Sequence, residues 1–267
     1  MRETPIMRAL TIPPTDLVRS LFKAREPMPL PLTDPRHSEV PLLRGAEVAA
    51  VYHNQRVAGD FYEFLRVGLS RVLFGLFDVA GRREHTREIL IAAQNTFRTL
   101  APTLFAGDDF NEAEAMITLS HEVNRTILEA AEGVRSCPAF IGCYNEDLGT
   151  VCYTNAGHTP ALLRDDSGIT QLEASGLPLG IFSHATHSAS TCALSPGAVL
   201  LIVSRGMVEA EHDSQEFGLE GIKEGLQKTT AITAQDLCLA ILRSAEQFME
   251  APPAHNDVTA LALLRSR

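Results

Sequence analysis

The chain has 267 residues, 45% of them apolar and 21% charged, with 33 acidic against 23 basic side chains. This composition excludes a wholly disordered chain, and no apolar run approaches the roughly 20 residues that span a bilayer. The net charge of −10 excludes a basic nucleic-acid or anionic-membrane binder, because phosphate backbones and acidic lipids need a positive field.

The charge is uneven. Residues 1–44 hold 7 basic and 5 acidic side chains, and residues 45–267 hold 16 and 28. The acidic body suits a protein partner or a site that gathers metal cations; solubility alone also accounts for it. Residues 1–44 contain eight of the 15 prolines, so an extended arm or linker is expected there. Only residues 15–25 fit a short helix, with Leu17, Leu21 and Phe22 on one side. The first 14 residues lack the apolar core of a secretory signal. The cysteines, Cys137, Cys143, Cys152, Cys192 and Cys238, include no C-x-x-C pair. Free thiols and a cytoplasmic location are therefore expected.

From residue 46 the pattern becomes that of a folded domain. Residues 47–53 and 60–67 carry apolar and β-branched side chains at strand spacing, separated by polar residues 54–56. Residues 71–79 form a continuous apolar run ending at Asp78, the mark of a buried strand. Residues 83–100 place Ile89, Leu90, Ala93, Phe97 and Leu100 at helical spacing. Residues 111–131 do the same with Ala115, Leu119, Val123 and Ile127, and Asn111 is a good cap. Strands follow at 139–145 and 150–155, then at 161–164 and 169–172, each pair joined by a hairpin signal. Strands at 186–194 and 199–203 flank the turn Ser195-Pro196-Gly197. Helices at 219–227 and 233–249 and a strand at 258–264 complete the chain. Hairpins dominate, so an α+β domain with mainly antiparallel sheets covered by helices is predicted. No linker interrupts residues 45–267, so one domain is expected there.

Candidate chemistry lies where apolar strands meet turns. Gly59-Asp60-Phe61, Asp78-Val79-Ala80-Gly81 and Asn256-Asp257-Val258-Thr259 each set a carboxylate at a strand end. Carboxylates converging on one rim repel and raise each other's pKa unless a cation sits between them. Hard divalent cations such as Mg²⁺ or Mn²⁺ match such oxygen ligands. Any one of these motifs alone reads equally well as a turn or cap aspartate.

Together the motifs resemble the SpoIIE/RsbU-like branch of the PPM metal-dependent serine/threonine phosphatases. Gly59-Asp60-Phe61-Tyr62, Asp78-Val79-Ala80-Gly81, Asn155-Ala156-Gly157-His158 and Gly176-Leu177-Pro178-Leu179-Gly180 stand in the family's order. Ser195-Pro196-Gly197, Glu209-Ala210, Phe217-Gly218 and Asp257-Val258-Thr259 continue it. The resemblance spans about residues 45–265 and implies a four-layer α-β-β-α sandwich. It implies two Mn²⁺ or Mg²⁺ ions that activate a bridging water for in-line attack on a phosphoserine or phosphothreonine. It makes Asp78 the main carboxylate ligand with the Val79 carbonyl beside it, and it puts Asp60 and Asp257 at the same ions. It further implies a phosphorylated regulatory protein as partner, such as an anti-sigma-factor antagonist. The turn 155–158 is expected to be structural, with Gly157 at positive φ and His158 not a ligand.

The departures fall at ligand positions. Where the family has Thr-Asp-Gly, this chain has Ser204-Arg205-Gly206, and where it has Asp-Asp it has Asn256-Asp257. Arg82-Arg83 replaces a family glycine near Gly81. Two carboxylates are gone and a cation is added, so at least one metal position is expected to be lost or weak. The Arg205 guanidinium is expected either to pair with Asp60 or Asp257 or to turn outward. The competing expectation to an active phosphatase is a pseudophosphatase, a regulatory protein-binding module without turnover.

Other residues point less sharply. His184 and His187 read as surface histidines and His255 as a linker histidine. Arg82-Arg83 fits either a phosphate contact at a helix start or a solvated helix end. No Gly-x-Ser-x-Gly, Walker loop or dinucleotide fingerprint is present.

Overall fold

The computed structural model describes residues 38–53, 59–107, 110–131, 133, 135–249 and 257–267. In chain order its elements are β1 (Ala46–Tyr52), β2 (Gly59–Val67), β3 (Arg71–Val79), α1 (Arg83–Leu104), α2 (Glu112–Ala130), β4 (Ala139–Asn145) and β5 (Thr150–Ala156). There follow β6 (Ala161–Asp165), β7 (Gly168–Leu172), β8 (Ser190–Ala193), β9 (Val199–Val203), α3 (Arg205–Val208), β10 (Glu211–His212) and β11 (Gln215–Glu216). The last three are α4 (Gly218–Lys228), α5 (Ala234–Phe248) and β12 (Thr259–Arg265).

Two five-stranded sheets form, in the orders β1-β12-β9-β6-β7 and β2-β3-β4-β5-β8. Every pairing within them is antiparallel. Strand parity assigns the layers, since successive side chains point to opposite faces. On β3, Phe74 and Leu76 face the other sheet, while Leu73 and Phe77 face α1 and α2. The inter-sheet core includes Phe74, Phe140, Tyr153, Leu200 and Leu261, with Phe140 and Tyr153 stacked at 5.2 Å. A second core joins the β2–β8 sheet to α1 and α2, where Phe97 meets Phe77 edge-on. A third joins the β1–β7 sheet to α4 and α5 through Leu201, Ile222 and Ile241. The result is the expected α-β-β-α sandwich.

Caps and turns follow their chemistry. Asn111 Oδ1 accepts the Ala113 and Glu114 amides at the start of α2, and Thr233 Oγ1 accepts the Asp236 amide at the start of α5. Asn145 Oδ1 accepts the Asp147 and Leu148 amides in the β4–β5 hairpin. Glu63 is buried on the helix-facing side of β2. Its carboxylate is held by Ser38 Oγ at 2.7 Å, Gln94 Nε2 at 3.1 Å and Arg98 Nε at 3.0 Å. All five cysteines are free, and no helix of the described residues is long and apolar enough to cross a membrane.

The structure differs from the sequence reading in four places. Helix α1 continues through Pro102 to Leu104, because burial of Ala101 and Phe105 offsets the lost hydrogen bond. The strand expected at 186–194 shortens to β8, because residues 175–176 hold the next stretch of the β5 edge. There Ser175 N donates to Asn155 O, and Ala156 bridges Gly176. The one-turn helix α3 and the β10–β11 hairpin were not anticipated. That hairpin turns on Asp213 and Ser214 at φ 48° and 62°, without the usual Gly or Asn cue. The arm up to residue 37, the helix at 15–25 and the polar stretch 54–56 lie outside the described residues.

Candidate active site

Parity that builds the core also builds the site. Asp60 and Asp78 are direct cross-strand partners on β2 and β3. Both continue the inter-sheet face beyond Tyr62 and Leu76. On the opposite sheet, Ser204 follows Ile202 and Thr259 precedes Leu261 on the same face. Four polar side chains therefore meet where the apolar filling of the sandwich stops.

Hydrogen bonds tie them together. Thr259 Oγ1 donates to Asp60 Oδ2 at 2.8 Å. The Asp60 amide donates to Asp257 Oδ2 at 3.2 Å. Ser204 Oγ donates to the Asp257 carbonyl at 3.1 Å and accepts the Thr259 amide at 3.0 Å. Asp60, Asp78, Ser204, Asp257 and Thr259 are all buried. Burial pushes the Asp60 carboxyl well above the usual carboxylate range. Asp78 and Asp257 push the same way, and the Thr259 and Ser204 hydroxyls only partly oppose them. Burial also raises Asp78, against the Arg205 guanidinium and the Arg205 amide, which favour its charged form.

Arg205 is the first residue of α3 and is half exposed. Its Nε lies 3.9 Å from Asp78 Oδ2 and 3.7 Å from Glu209 Oε2. Its partners are thus Asp78 and Glu209, not Asp60 or Asp257 as the sequence suggested. The outward alternative is also only half right, since the guanidinium faces the site while half its surface meets solvent. Val79 ends β3 beside Asp78, with its backbone paired to Gly59. Asn256 lies outside the described residues, as does His255.

The turn after β5 is structural, as expected. Asn155 Oδ1 accepts the His158 amide at 2.9 Å, and Gly157 takes φ 64°. A Cβ there would lie 2.5 Å from Pro178, so this glycine is required twice over. His158 is buried, and burial lowers its pKa to about 4. His187 is not the surface histidine expected: it is buried against His121, with Nε2 on the Leu177 carbonyl. The Ser204–Thr259 contacts escaped the sequence reading. Their signal was the strand parity of the two residues.

The donor set can be tested against a pair of divalent ions. Two buried carboxylates face each other, a third is turned to the Asp60 amide, and a guanidinium stands beside them. Among the described residues no group of three or more His, Cys, Asp or Glu side chains is arranged to hold a metal ion. The described residues do not fit a two-ion centre, which draws on several anionic oxygens.

A family model for Stage II sporulation protein E (SpoIIE) matches residues 70–266. The chain belongs to the SpoIIE family. Protein IcfG of Synechocystis sp. is 22% identical over 249 residues, which cover 85% of this chain and 39% of IcfG. Phosphoserine phosphatase RsbU of Bacillus subtilis is 21% identical over 231 residues, covering 85% of this chain and 66% of RsbU. This SpoIIE-family chain thus spans less than two thirds of the length of either relative. Among solved structures, the RsbU and RsbW domains of a Mycobacterium tuberculosis protein superpose with a TM-score of 0.68 at 22% identity. They cover 86% of this chain and 62% of that one. The PP2C phosphatase domain of SpoIIE from Bacillus subtilis superposes with a TM-score of 0.68 at 14% identity, covering 83% and 64%. RsbX in complex with magnesium gives a TM-score of 0.58 at 15% identity, covering 85% and 99%. The sandwich is that of the PP2C-like phosphatases.

Proposed function

We propose that this chain is a SpoIIE-type serine/threonine phosphatase domain of bacterial signalling whose two-ion centre is impaired. It recognises a phosphorylated regulatory protein, of the anti-sigma-factor-antagonist kind, and turns it over slowly or not at all. Residues 1–44 serve as a proline-rich arm ahead of the domain at 45–267, in the cytoplasm. One observation carries the reading: a guanidinium faces Asp78 from position 205, where the family resemblance implies a metal-binding aspartate. Mg²⁺ or Mn²⁺, when bound in this family, activates water for attack on phosphorus. The residues left for that task here are Asp60, Asp78, the Val79 carbonyl and Asp257. The cross-strand pairing of Asp60 with Asp78 favours a second reading, in which one ion still binds and supports residual hydrolysis.

A phosphoserine-peptide turnover assay with excess Mn²⁺ tests the proposal. The expected result is very slow or undetectable release of phosphate. Robust turnover that vanishes in Asp78→Asn would show that the centre is intact.

A further inference from the structure

The chain leaves β3 at Val79, turns at Ala80-Gly81 and enters α1 at Arg83. Residues 136–138 run alongside this turn: Asp78 N donates to Pro138 O and Ala80 N to Ser136 O, both at 2.9 Å. That pairing carries Arg135 to the turn, where its Nη1 would lie 3.4 Å from a Cβ at Gly81. The Arg135 guanidinium makes no hydrogen bond or ion pair among the described residues. At Asp78, the other end of the turn, stands Arg205, whose two ion pairs at 3.9 and 3.7 Å are too long for hydrogen bonds.

Several arginines elsewhere in this fold are closely paired. Arg66 meets Glu146 at 2.8 Å, Arg71 meets Glu112 at 2.6 Å and Arg98 meets Glu63 at 3.0 Å. Arg205 is held more loosely than these, and Arg135 has no such partner among the described residues. Each guanidinium carries five N–H donors in a fork that matches phosphate oxygens. Asp78 and Gly81 are separated by at most about 11 Å of chain, so Arg205 and Arg135 stand at the two ends of one short turn. Arg205 is shared between Asp78 and Glu209, and the Arg135 guanidinium has no hydrogen-bond or ion-pair partner among the described residues.

We propose that Arg135 and Arg205 form a metal-independent phosphate seat over the Asp78–Gly81 turn, which takes the phosphoryl group of a phosphoserine or phosphothreonine. The inference rests on the reading above that the domain recognises a phosphorylated protein. It adds which residues hold the phosphate, and that they do so without ions. A phosphoryl group brings nearly two negative charges and three acceptor oxygens, which the Arg135 guanidinium and the loosely paired Arg205 guanidinium are suited to meet.

The test is a calorimetric titration of the full chain in chelator with N-acetyl-phosphoserine amide and, separately, inorganic phosphate. N-acetyl-serine amide is the blank. The wild-type chain is expected to bind both phosphate probes saturably and the blank not at all. Arg135→Gln and Arg205→Gln should each weaken binding about tenfold or more, the worth of one charge-assisted hydrogen-bonded contact. Arg125→Gln on α2, away from the turn, should leave it unchanged. Arg135→Lys and Arg205→Lys keep the charge, lose the fork and should fall between, which keeps the test open if a glutamine variant misfolds. No saturable binding by the wild type, or binding indifferent to both arginines, overturns the inference. Turnover is read separately. Robust hydrolysis with Mn²⁺ alongside arginine-dependent binding in chelator would remove the impaired-centre reading and leave this seat standing. Absent hydrolysis with no arginine dependence would do the reverse.

Discussion

Replacing Arg205 by aspartate together with Asn256→Asp restores the two carboxylates that the family resemblance calls for. The cost without metal can be worked from the geometry. At 3.9 Å from Asp78, a full charge pair is worth about 4 kcal/mol at an effective dielectric of 20. Half of the Arg205 side-chain surface is exposed, and solvent screening brings the contribution down to about 1 kcal/mol. A carboxylate in the same place adds a repulsion of similar size, so the loss is about 2 kcal/mol. For a domain of this length that lowers the melting temperature by roughly 4–8 °C. Asn256 lies outside the described residues, so its part in the prediction comes from the sequence alone. An ion that binds only the folded state returns about 2.7 kcal/mol at a hundredfold excess over its Kd. The double variant should therefore melt below wild type in chelator and climb back with Mn²⁺, while wild type barely moves. Differential scanning calorimetry with and without Mn²⁺ reads both effects. Equal Mn²⁺ responses in the two proteins would refute the reasoning, because they would mean that positions 205 and 256 do not decide ion binding.

Two further outcomes follow from the same contacts. Glu146, held by Arg66 and Arg44, has its pKa lowered from 4.5 to about 2 despite burial, so its stabilisation is full above pH 4.5 and fades as pH falls toward 2. Glu146→Gln should cost about 2 kcal/mol at pH 7 after allowance for the exposed Arg44, and urea midpoints of variant and wild type should converge on acidification; a gap that persists at pH 2 would contradict the assignment. Thr259→Val removes the hydroxyl that donates to buried Asp60 and should cost about 1–3 kcal/mol, whereas Thr259→Ser should recover most of it in the same denaturation assay.

The layers of this fold were legible because they rest on periodicity. The run Val72–Val79 reads as a strand buried on both faces, and its alternate residues do face two different cores. The helical stripe of α2 and its Asn111 cap were equally plain. What escaped was set by tertiary contacts without a local signature. The β8 strand is short because residues 175–176 take the β5 edge, and nothing within 186–194 records that competition. Glu63 looks in sequence like an outward strand residue, yet it is buried beneath α1 because Ser38, Gln94 and Arg98 converge on it.

The candidate site divides along the same line. Motif order brought Asp60, Asp78, Asp257 and Arg205 to one neighbourhood, because each motif sits at a strand end and antiparallel pairing aligns those ends. It put the guanidinium with Asp60 or Asp257, or turned outward, whereas the structure sets it beside Asp78. That choice belongs to α3, a single turn too short for any periodic signal. The turn sets Arg205 four residues before Glu209, the spacing at which helical side chains meet, and presents the Arg205 amide to Asp78. Both contacts hold the guanidinium on the Asp78 side. Asp60, deeper in the sandwich, is instead served by Thr259 from the opposite sheet. One unpredicted turn of helix therefore separates the cation from Asp60, the most buried carboxylate of the site, whose carboxyl burial holds well above the usual range.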